Sequence, residues 1–324
     1  MHASCRHFVQ RKGIAQGSAV SVLLCSVVYD ALVRALVPAP RAGRTLLLHF
    51  VDDFLCVSTD RAVVARFVRA MHVGFPAVGC AANPAKTAVS FPLALDTGAT
   101  VDAATLVVQD GRRHVPWCGR LLAVDDLACA RDYRRYHGRN LSTCFTTRFA
   151  SRGTTTGPGT ALRRAFVAAV KTRCDPLALD ARINSERAAA LNAYHSFVFG
   201  ALLFVAHAAQ LPAHNLRFLE HTVWATVHAV AAHVARLARA PGFVCPLARP
   251  AVVFLGLSAV VHVLAHHLTS HRPCGAAWSA LFALHARLAR SCPALPDAHK
   301  LAARFHYVFV AQSTTTLLTN IHTL

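Results

Sequence analysis

The chain has 324 residues, of which 54% are hydrophobic and 15% are charged. This composition excludes an intrinsically disordered protein, and the length corresponds to about two domains. The chain carries 34 lysines and arginines against 15 acidic residues, which gives a net charge of +19. An arginine-rich, acid-poor chain favours a polyanionic partner such as nucleic acid. A GC-rich gene would also enrich arginine, alanine and histidine. Motifs are therefore needed to distinguish a nucleic-acid partner from a compositional bias.

Two features bear on the cellular compartment. The 11 cysteines include no Cys-x-x-Cys pair, and the residues after Met1 do not form a signal peptide. We therefore expect a reducing, intracellular compartment and no zinc ribbon. Residues 188–216 and 250–271 lack charged side chains and are long enough to span a membrane, but they contain several histidines, which are costly in hydrocarbon. Buried helices of a soluble domain with no membrane partner are favoured over a polytopic membrane protein.

The first 130 residues are predicted to mix helices and strands. Ser18 is a plausible N-cap for a helix that runs to Leu36. The apolar runs 45–51 and 54–57 flank two aspartates and indicate a buried β-hairpin with the aspartates at its tip. A helix follows from Ala62 to His72. A second hairpin is indicated around the Asp110-Gly111 pair, after an extended segment 80–91 that is broken at Asn83-Pro84.

From about residue 131 the pattern becomes helical. Residues 151–160 read as a flexible connector, because they are rich in Gly, Ser and Thr. Apolar-periodic segments follow and predict an all-helical second domain; they are 161–173, 185–210, 216–239, 251–271 and 276–290. The expected fold class is therefore α+β, with a mixed domain over 1–130 and a helical domain over 131–324.

The aspartate pair is the strongest chemical signal. Tight hairpins between apolar strands usually use Asn-Gly or Asp-Gly, so Asp52 next to Asp53 is hard to explain structurally. Two close carboxylates repel each other unless a divalent cation neutralises them, as in two-metal phosphoryl transfer. A histidine cluster also occurs, at His262, His266, His267 and His271. It lacks the glutamate of the His-Glu-x-x-His pattern, so we do not expect a metal site there.

The surroundings of the aspartate pair carry a family resemblance. Residues 11–18 (RKGIAQGS) resemble motif B of reverse transcriptases, and residues 50–55 (FVDDFL) resemble motif C. Residues 79–87 (GCAANPAKT) resemble motif D, and residues 117–119 (WCG) resemble motif E, the primer grip. Val51 before the aspartates, the Trp-Cys-Gly and the long helical tail together resemble telomerase reverse transcriptase. The match covers most of residues 9–215.

The resemblance implies roles for individual residues. Asp52 would be the principal Mg²⁺ ligand of a two-metal site and Asp53 the supporting carboxylate. Lys86 would lie near the triphosphate as a cation or proton donor; a solvated loop lysine is the alternative. The nucleotide and template pocket would be formed by Gln16, Gly17 and Ser18, and the primer end would be held by Trp117, Cys118 and Gly119.

The resemblance implies a palm domain followed by a helical thumb domain. It also implies nucleic-acid and nucleotide partners. The partners would be the telomerase RNA template, a single-stranded DNA primer and deoxynucleoside triphosphates, at telomeres in the nucleus. Expected contacts with the nucleic-acid backbone are Arg11, Lys12, Arg163, Arg164, Lys171, Arg173, Arg182 and Asn184. An ordinary amphipathic helix would show similar arginines.

Two departures from the family shape the expectation for this chain. The third carboxylate, from motif A, has no counterpart, because only eight residues precede Val9 and none is acidic. Without that bridging ligand the chain alone would be inactive, and the N-terminal telomerase domains would belong to a longer chain. The alternative is an inactive truncated copy that binds RNA–DNA hybrid. From about residue 298 the sequence matches nothing in the family, which predicts a divergent tail.

Overall fold

The chain folds as two compact units, Met1–Leu106 and Val107–Leu324. A computed structural model describes residues 13–14, 17–36, 44–76, 79–96, 98, 100–101, 106–144, 158–209, 215–270 and 276–321. Helices and small antiparallel sheets occur together, so the predicted α+β class is confirmed.

The described part of the first unit contains two main helices and two small two-stranded sheets, β1–β2 and β3–β4. Its elements are α1 (Ser21–Leu36), β1 (Thr45–Phe50), β2 (Asp53–Ser58), α2 (Arg61–Val73), a 3₁₀ turn (Pro84–Lys86), β3 (Leu93–Ala94) and β4 (Thr100–Val101). Helix α2 begins where the Asp60 carboxylate accepts a hydrogen bond from the Ala62 amide at 2.8 Å. It ends at Gly74, which has a φ of 77° and where a Cβ atom would lie only 2.6 Å from the Cys80 carbonyl oxygen, so a side chain has no room there.

The first hairpin has the predicted strands but not the predicted burial. Along β1 the side chains alternate between half-buried and exposed, and Leu46 and Phe50 are 53% and 64% exposed. Strand side chains point alternately to the two faces of a sheet. Helix α2 packs against β2, and Phe54 of that strand joins the core around Phe67. The hairpin that was predicted to be buried is therefore only half-buried, because the sequence does not reveal that the described structure covers one face of it.

The second unit begins with a four-stranded antiparallel sheet and continues as helices. The strands lie in chain order: β5 (Val107–Gln109), β6 (Arg112–Trp117), β7 (Arg120–Ala123) and β8 (Cys129–Arg131). The helices are α3 (Leu141–Cys144), α4 (Pro158–Lys171), α5 (Pro176–Leu179), α6 (Glu186–Ala208), α7 (Leu216–Leu237), α8 (Arg249–Ser270), α9 (Ala276–Ser291), α10 (Ala298–Arg304), α11 (His306–Phe309) and α12 (Gln312–Asn320). The predicted helices agree with α4 and α6–α9 to within a few residues.

Helix α6 is the centre of the second unit, because α4, α5, α8 and α12 all pack against it. A helix that is apolar on all sides is typical of a buried position. Close approach is possible at Gly200, where a Cβ atom would lie 2.3 Å from a methyl carbon of Val170. Helices α6 and α8 are long and apolar enough to cross a membrane, yet most of each apolar stretch is buried inside the unit, as in the core helix of a globular domain.

The sheet β5–β8 is joined to the helices by polar contacts. The Asn192 amide nitrogen donates to the carbonyl oxygens of Cys129 and Ala178, both at 2.8 Å. Asp175 accepts hydrogen bonds from Arg120 at 2.8 Å and Arg131 at 2.6 Å. Residues 107–130 therefore share a compact unit with the helices, whereas a boundary near residue 130 was expected. Of the predicted connector 151–160, residues 158–160 begin α4 and the remainder lies outside the described residues.

The predicted tail from about residue 298 is an integral part of the second unit. Phe305, Val308 and Ile321 are at most 1% exposed. His195 of α6 hydrogen-bonds through Nε2 to the Thr314 hydroxyl at 2.7 Å and the Ser313 hydroxyl at 3.1 Å. This segment is thus anchored in the core by both apolar and polar contacts.

Candidate active site

The aspartate pair occupies the tip of the first hairpin, as predicted. Phe50 pairs with Asp53, so Val51 and Asp52 form a two-residue connection. Val51 has a φ of 56°, a conformation that β-branched residues rarely adopt. Backbone strain of this kind is concentrated at functional sites, where the surrounding structure has to hold it. The side chains of Asp52 and Asp53 are both exposed to solvent.

The donor atoms of this pair suit a hard cation. Mg²⁺ prefers oxygen ligands and is commonly held by one or two carboxylates together with water and substrate phosphates. Asp52 and Asp53 supply two such carboxylates on a rigid turn. Within the described ranges, no group of three or more His, Cys, Asp or Glu side chains could hold a metal ion. The pair therefore fits Mg²⁺ as a partial donor set, to be completed by other oxygen atoms.

The segment with Lys86 is fixed against α2. The Ala82 amide donates to the Met71 carbonyl oxygen at 3.0 Å, and the Thr87 hydroxyl lies 3.1 Å from Nε2 of His72. The Asn83 side chain accepts a hydrogen bond from the Ala85 amide at 3.0 Å and starts the 3₁₀ turn. Lys86 ends this turn with an exposed side chain. An exposed ammonium group on an anchored turn is available to an anion.

The predicted nucleotide pocket is described only in part. Gly17 has a φ of 83° and is exposed, which agrees with a turn that permits close backbone approach. Ser18 precedes α1, and its carbonyl oxygen accepts a hydrogen bond from the Ser21 amide at 3.2 Å. Gln16, Arg11 and Lys12 lie outside the described residues.

The predicted primer grip is the turn of the β6–β7 hairpin. Trp117 pairs with Arg120, and the two residues between them, Cys118 and Gly119, have φ values of 47° and 72°. Two successive positive φ angles are typical of a type I′ turn, which matches the twist of antiparallel strands. This turn belongs to the second unit, whereas Asp52, Asp53 and Lys86 belong to the first.

The predicted backbone contacts of the helical region fall into two groups. Arg163 and Arg164 are exposed on α4, and Lys171 is half-buried at its end. Arg182 is exposed, but its guanidinium group pairs with Asp180 at 2.6 Å and lowers the pKa of that carboxyl to about 2. The first group is open to solvent, and the Asp180 pair limits the freedom of Arg182.

Arg173 and Asn184 form the second group, whose polar atoms are used inside the fold. Arg173 donates to the Ala169 carbonyl oxygen at 2.7 Å and lies 3.9 Å from the ring centre of Phe199. Asn184 is 1% exposed, and its side chain accepts from the Cys129 amide and donates to the Leu177 carbonyl oxygen, both at 2.8 Å. These positions give both side chains a structural task, so their predicted contact with a phosphate stays a prediction.

Sequence reasoning missed the carboxylate that joins the sheet to the helices. Asp175 lies 55 and 44 residues from its partners Arg120 and Arg131. No local spacing rule relates residues so far apart, so the sequence carried no signal for this network. Of the histidine cluster, His262 hydrogen-bonds through Nδ1 to the Tyr194 hydroxyl at 2.8 Å, and His271 lies outside the described residues.

Comparison with known proteins identifies relatives of one kind. No protein-family profile matches the chain. Telomerase reverse transcriptase of Canis lupus familiaris is 35% identical over 207 residues, which cover 64% of the chain and 18% of the relative. The Oryzias latipes protein is 31% identical over 224 residues, which cover 68% of the chain and 20% of the relative. The Arabidopsis thaliana protein is 26% identical over 286 residues, which cover 79% of the chain and 25% of the relative.

These relatives are much longer than the chain, which spans about a fifth of the length of the mammalian and fish proteins. Mammals, fish and plants nevertheless all provide matches to the same kind of protein. The predicted recognition is therefore confirmed: over about two thirds of its length, the chain is homologous to telomerase reverse transcriptases.

Proposed function

We propose that the chain carries part of the active site for RNA-templated DNA synthesis at chromosome ends, the role of a telomerase catalytic subunit. The observation that supports this most is the hairpin tip, where Asp52 and Asp53 are exposed next to a strained Val51. Homology to telomerase reverse transcriptases supports a chemical role for this turn.

In this proposal each site residue has a defined task. Asp52 and Asp53 would hold Mg²⁺, which when bound favours ionisation of the primer 3′-hydroxyl and neutralises the leaving pyrophosphate. Lys86 would bind the triphosphate or protonate the pyrophosphate. The template base and incoming nucleotide would lie against Gln16, Gly17 and Ser18, and the primer end against Trp117, Cys118 and Gly119.

The partners follow from the charge and from the relatives. A net charge of +19 suits an RNA–DNA hybrid, and Arg163 and Arg164 present exposed guanidinium groups on α4. We propose that these two residues contact the hybrid backbone together with Lys171 and Arg182. Work at telomeres in the nucleus belongs to the same proposal.

The proposal is tested by primer extension. The chain is combined with a polypeptide that supplies the motif A carboxylate, and Mg²⁺-dependent extension of a DNA primer on an RNA template is measured. Replacing Asp52 with Ala should reduce the rate at least about 100-fold, because a metal ligand acts on the transition state. The matched control is Asp30→Ala in the same unit, since Asp30 is half-exposed and forms an ion pair with exposed Arg34 at 2.8 Å.

Two outcomes would contradict the metal assignment in different ways. Extension that survives Asp52→Ala excludes this carboxylate as a ligand. Failure to extend at all, combined with hybrid binding that weakens in an Arg163→Ala, Arg164→Ala variant, would favour the inactive copy that only binds nucleic acid.

A further inference from the structure

Two arginine side chains of the second unit converge on one neutral oxygen atom. Arg135 lies in a 3₁₀ turn after β8, donates a hydrogen bond to the Tyr136 hydroxyl and stacks its guanidinium group 4.6 Å from the centre of the Tyr136 ring. Arg173, which follows α4, donates to the same hydroxyl at 3.2 Å. Two positive groups that share one neutral acceptor repel each other, and an anion bound between them would relieve that repulsion.

The core of the second unit holds this pair of arginines in place. Tyr136 is 6% exposed, and its ring centre lies 4.8 Å from that of Phe199 in α6. The Arg173 guanidinium group lies 3.9 Å from the centre of the same Phe199 ring and donates to the Ala169 carbonyl oxygen at 2.7 Å. Helices α4 and α6 therefore fix at least one of the two cations before any ligand arrives, which lowers the entropic cost of binding.

The two arginines lack a carboxylate partner among the described residues. None of the ion pairs there includes Arg135 or Arg173. The nearby carboxylate of Asp175 already binds Arg120 at 2.8 Å and Arg131 at 2.6 Å. Burial above all lowers the pKa of Arg173, and the charge of Arg131 acts in the same direction. Charges inside proteins are normally paired, so a largely desolvated guanidinium group with only neutral acceptors points to an anion from outside the chain.

We propose that exposed Arg135 and half-buried Arg173 form a binding site for a phosphate group. A guanidinium group is a planar fork that can bind two phosphate oxygens at once. The acceptors within the fold use two of the five N–H groups of Arg173, which leaves donors for a ligand. The phosphate can belong to a nucleic-acid backbone or to a free anion such as pyrophosphate. Its use for a backbone rests on the proposed function, whereas the anion site itself does not.

Thermal unfolding of the full chain tests the anion site with inorganic phosphate. Replacing chloride with phosphate at constant ionic strength should raise the Tm, because a ligand of the folded state stabilises it. Phosphate also stabilises proteins by exclusion from their surface, so the difference between variants measures the site. Arg135→Gln and Arg173→Gln should each lose part of the rise. The matched control, Arg134→Gln, should keep it, since the neighbouring Arg134 is paired with Asp132 at 2.6 Å. An equal rise in Arg135→Gln and Arg134→Gln would overturn the proposal.

Binding of a fluorescent RNA–DNA hybrid identifies the source of the phosphate. If a backbone phosphate occupies the site, Arg135→Gln should weaken binding about tenfold and lower the salt dependence of the affinity by about one unit of slope on a log–log plot. Arg134→Gln should change neither quantity. Loss of the phosphate effect on Tm with unchanged hybrid binding would support the site and assign it to a free anion. The assay omits Mg²⁺, so a failure of the metal assignment in primer extension leaves its result intact.

Discussion

The first unit packs around a few buried side chains, whereas the second encloses a continuous core around α6. In the first unit the core cluster of buried apolar residues consists of Phe67, Val68, Val89, Leu93, Leu95 and Val101. In the second unit, helix α6 buries its side chains along almost its whole length. Large exposed apolar side chains show the opposite distribution: of the 16 in the described ranges, 11 lie in the first unit, and eight of these lie on α1 and β1.

The difference separates two uses of apolar residues. In the second unit the apolar residues are mostly buried inside the unit itself, and this burial stabilises its fold. In the first unit, Leu23, Val27 and Phe50 are each more than 60% exposed. Contiguous exposed apolar surface is typical of faces that other polypeptide segments cover. Of the proposed site residues, Asp52, Asp53 and Lys86 lie in the unit with the smaller core, whereas the predicted primer grip and the arginines of α4 lie in the other unit.

Removal of the tail should have the largest effect on this comparison. Deleting residues 298–324 removes seven buried apolar side chains of the described residues; they are Ala298, Leu301, Phe305, Val308, Leu317, Leu318 and Ile321. Their burial is worth at least about 7 kcal/mol, comparable with the whole free energy of unfolding of a domain. The truncated chain should lose its cooperative thermal transition, measured by circular dichroism. Val310→Ala is the control, because Val310 is 77% exposed, and a normal transition after the deletion would refute an integral tail.

Acid should destabilise the second unit through His195. Burial lowers the pKa of His195 to about 4 from an ordinary 6.5. The unfolded chain therefore binds a proton more readily, and the stability from this group is complete above pH 6.5 and is lost as the pH falls towards 4. The loss corresponds to roughly 3 kcal/mol. In His195→Gln, the free energy of unfolding measured in urea should depend less on pH between pH 7 and 4. In the exposed His299→Gln, this pH dependence should stay as it is in the unchanged chain. An equal slope in both variants would contradict this assignment.

A single methyl group should test the close packing of α6. Gly200→Ala places a Cβ atom 2.3 Å from a Val170 methyl carbon and 3.1 Å from the Phe166 ring. Overpacking of this kind costs about 1–3 kcal/mol, which outweighs the helix preference of Ala over Gly, about 1 kcal/mol. We expect a lower free energy of unfolding in urea. An increase would show that the core around α6 can expand.

The smallest expected change relieves strain in the first unit. Val51→Gly removes the side chain at a φ of 56° and should raise the free energy of unfolding by about 1 kcal/mol. Val57→Gly in the middle of β2 is the matched control and should lower it. Hydrogen exchange of the β1–β2 amides measures both changes. Faster exchange in Val51→Gly would show that the turn is unstrained.

Local sequence determined the elements and the aspartate site. The Asp60 cap, the Asp110-Gly111 turn and the apolar periodicity of α4 and α6–α9 act over a few residues, so their signals are readable along the chain. The position of Asp52 and Asp53 on a hairpin tip follows from the same short-range rules. The family resemblance could be recognised for a related reason, because each motif is a short run of neighbouring residues and the motifs follow one another in a fixed order.

Only the tertiary structure decided which surfaces are covered and which polar groups are used inside the fold. Asp175 joins the sheet to the helices, His195 anchors the tail, and the buried Asn184 side chain bonds to the Cys129 amide. Each of these contacts links residues dozens of positions apart. Their free energy depends on packing and desolvation that no local pattern encodes, which is why the sequence did not show that the tail is part of the core.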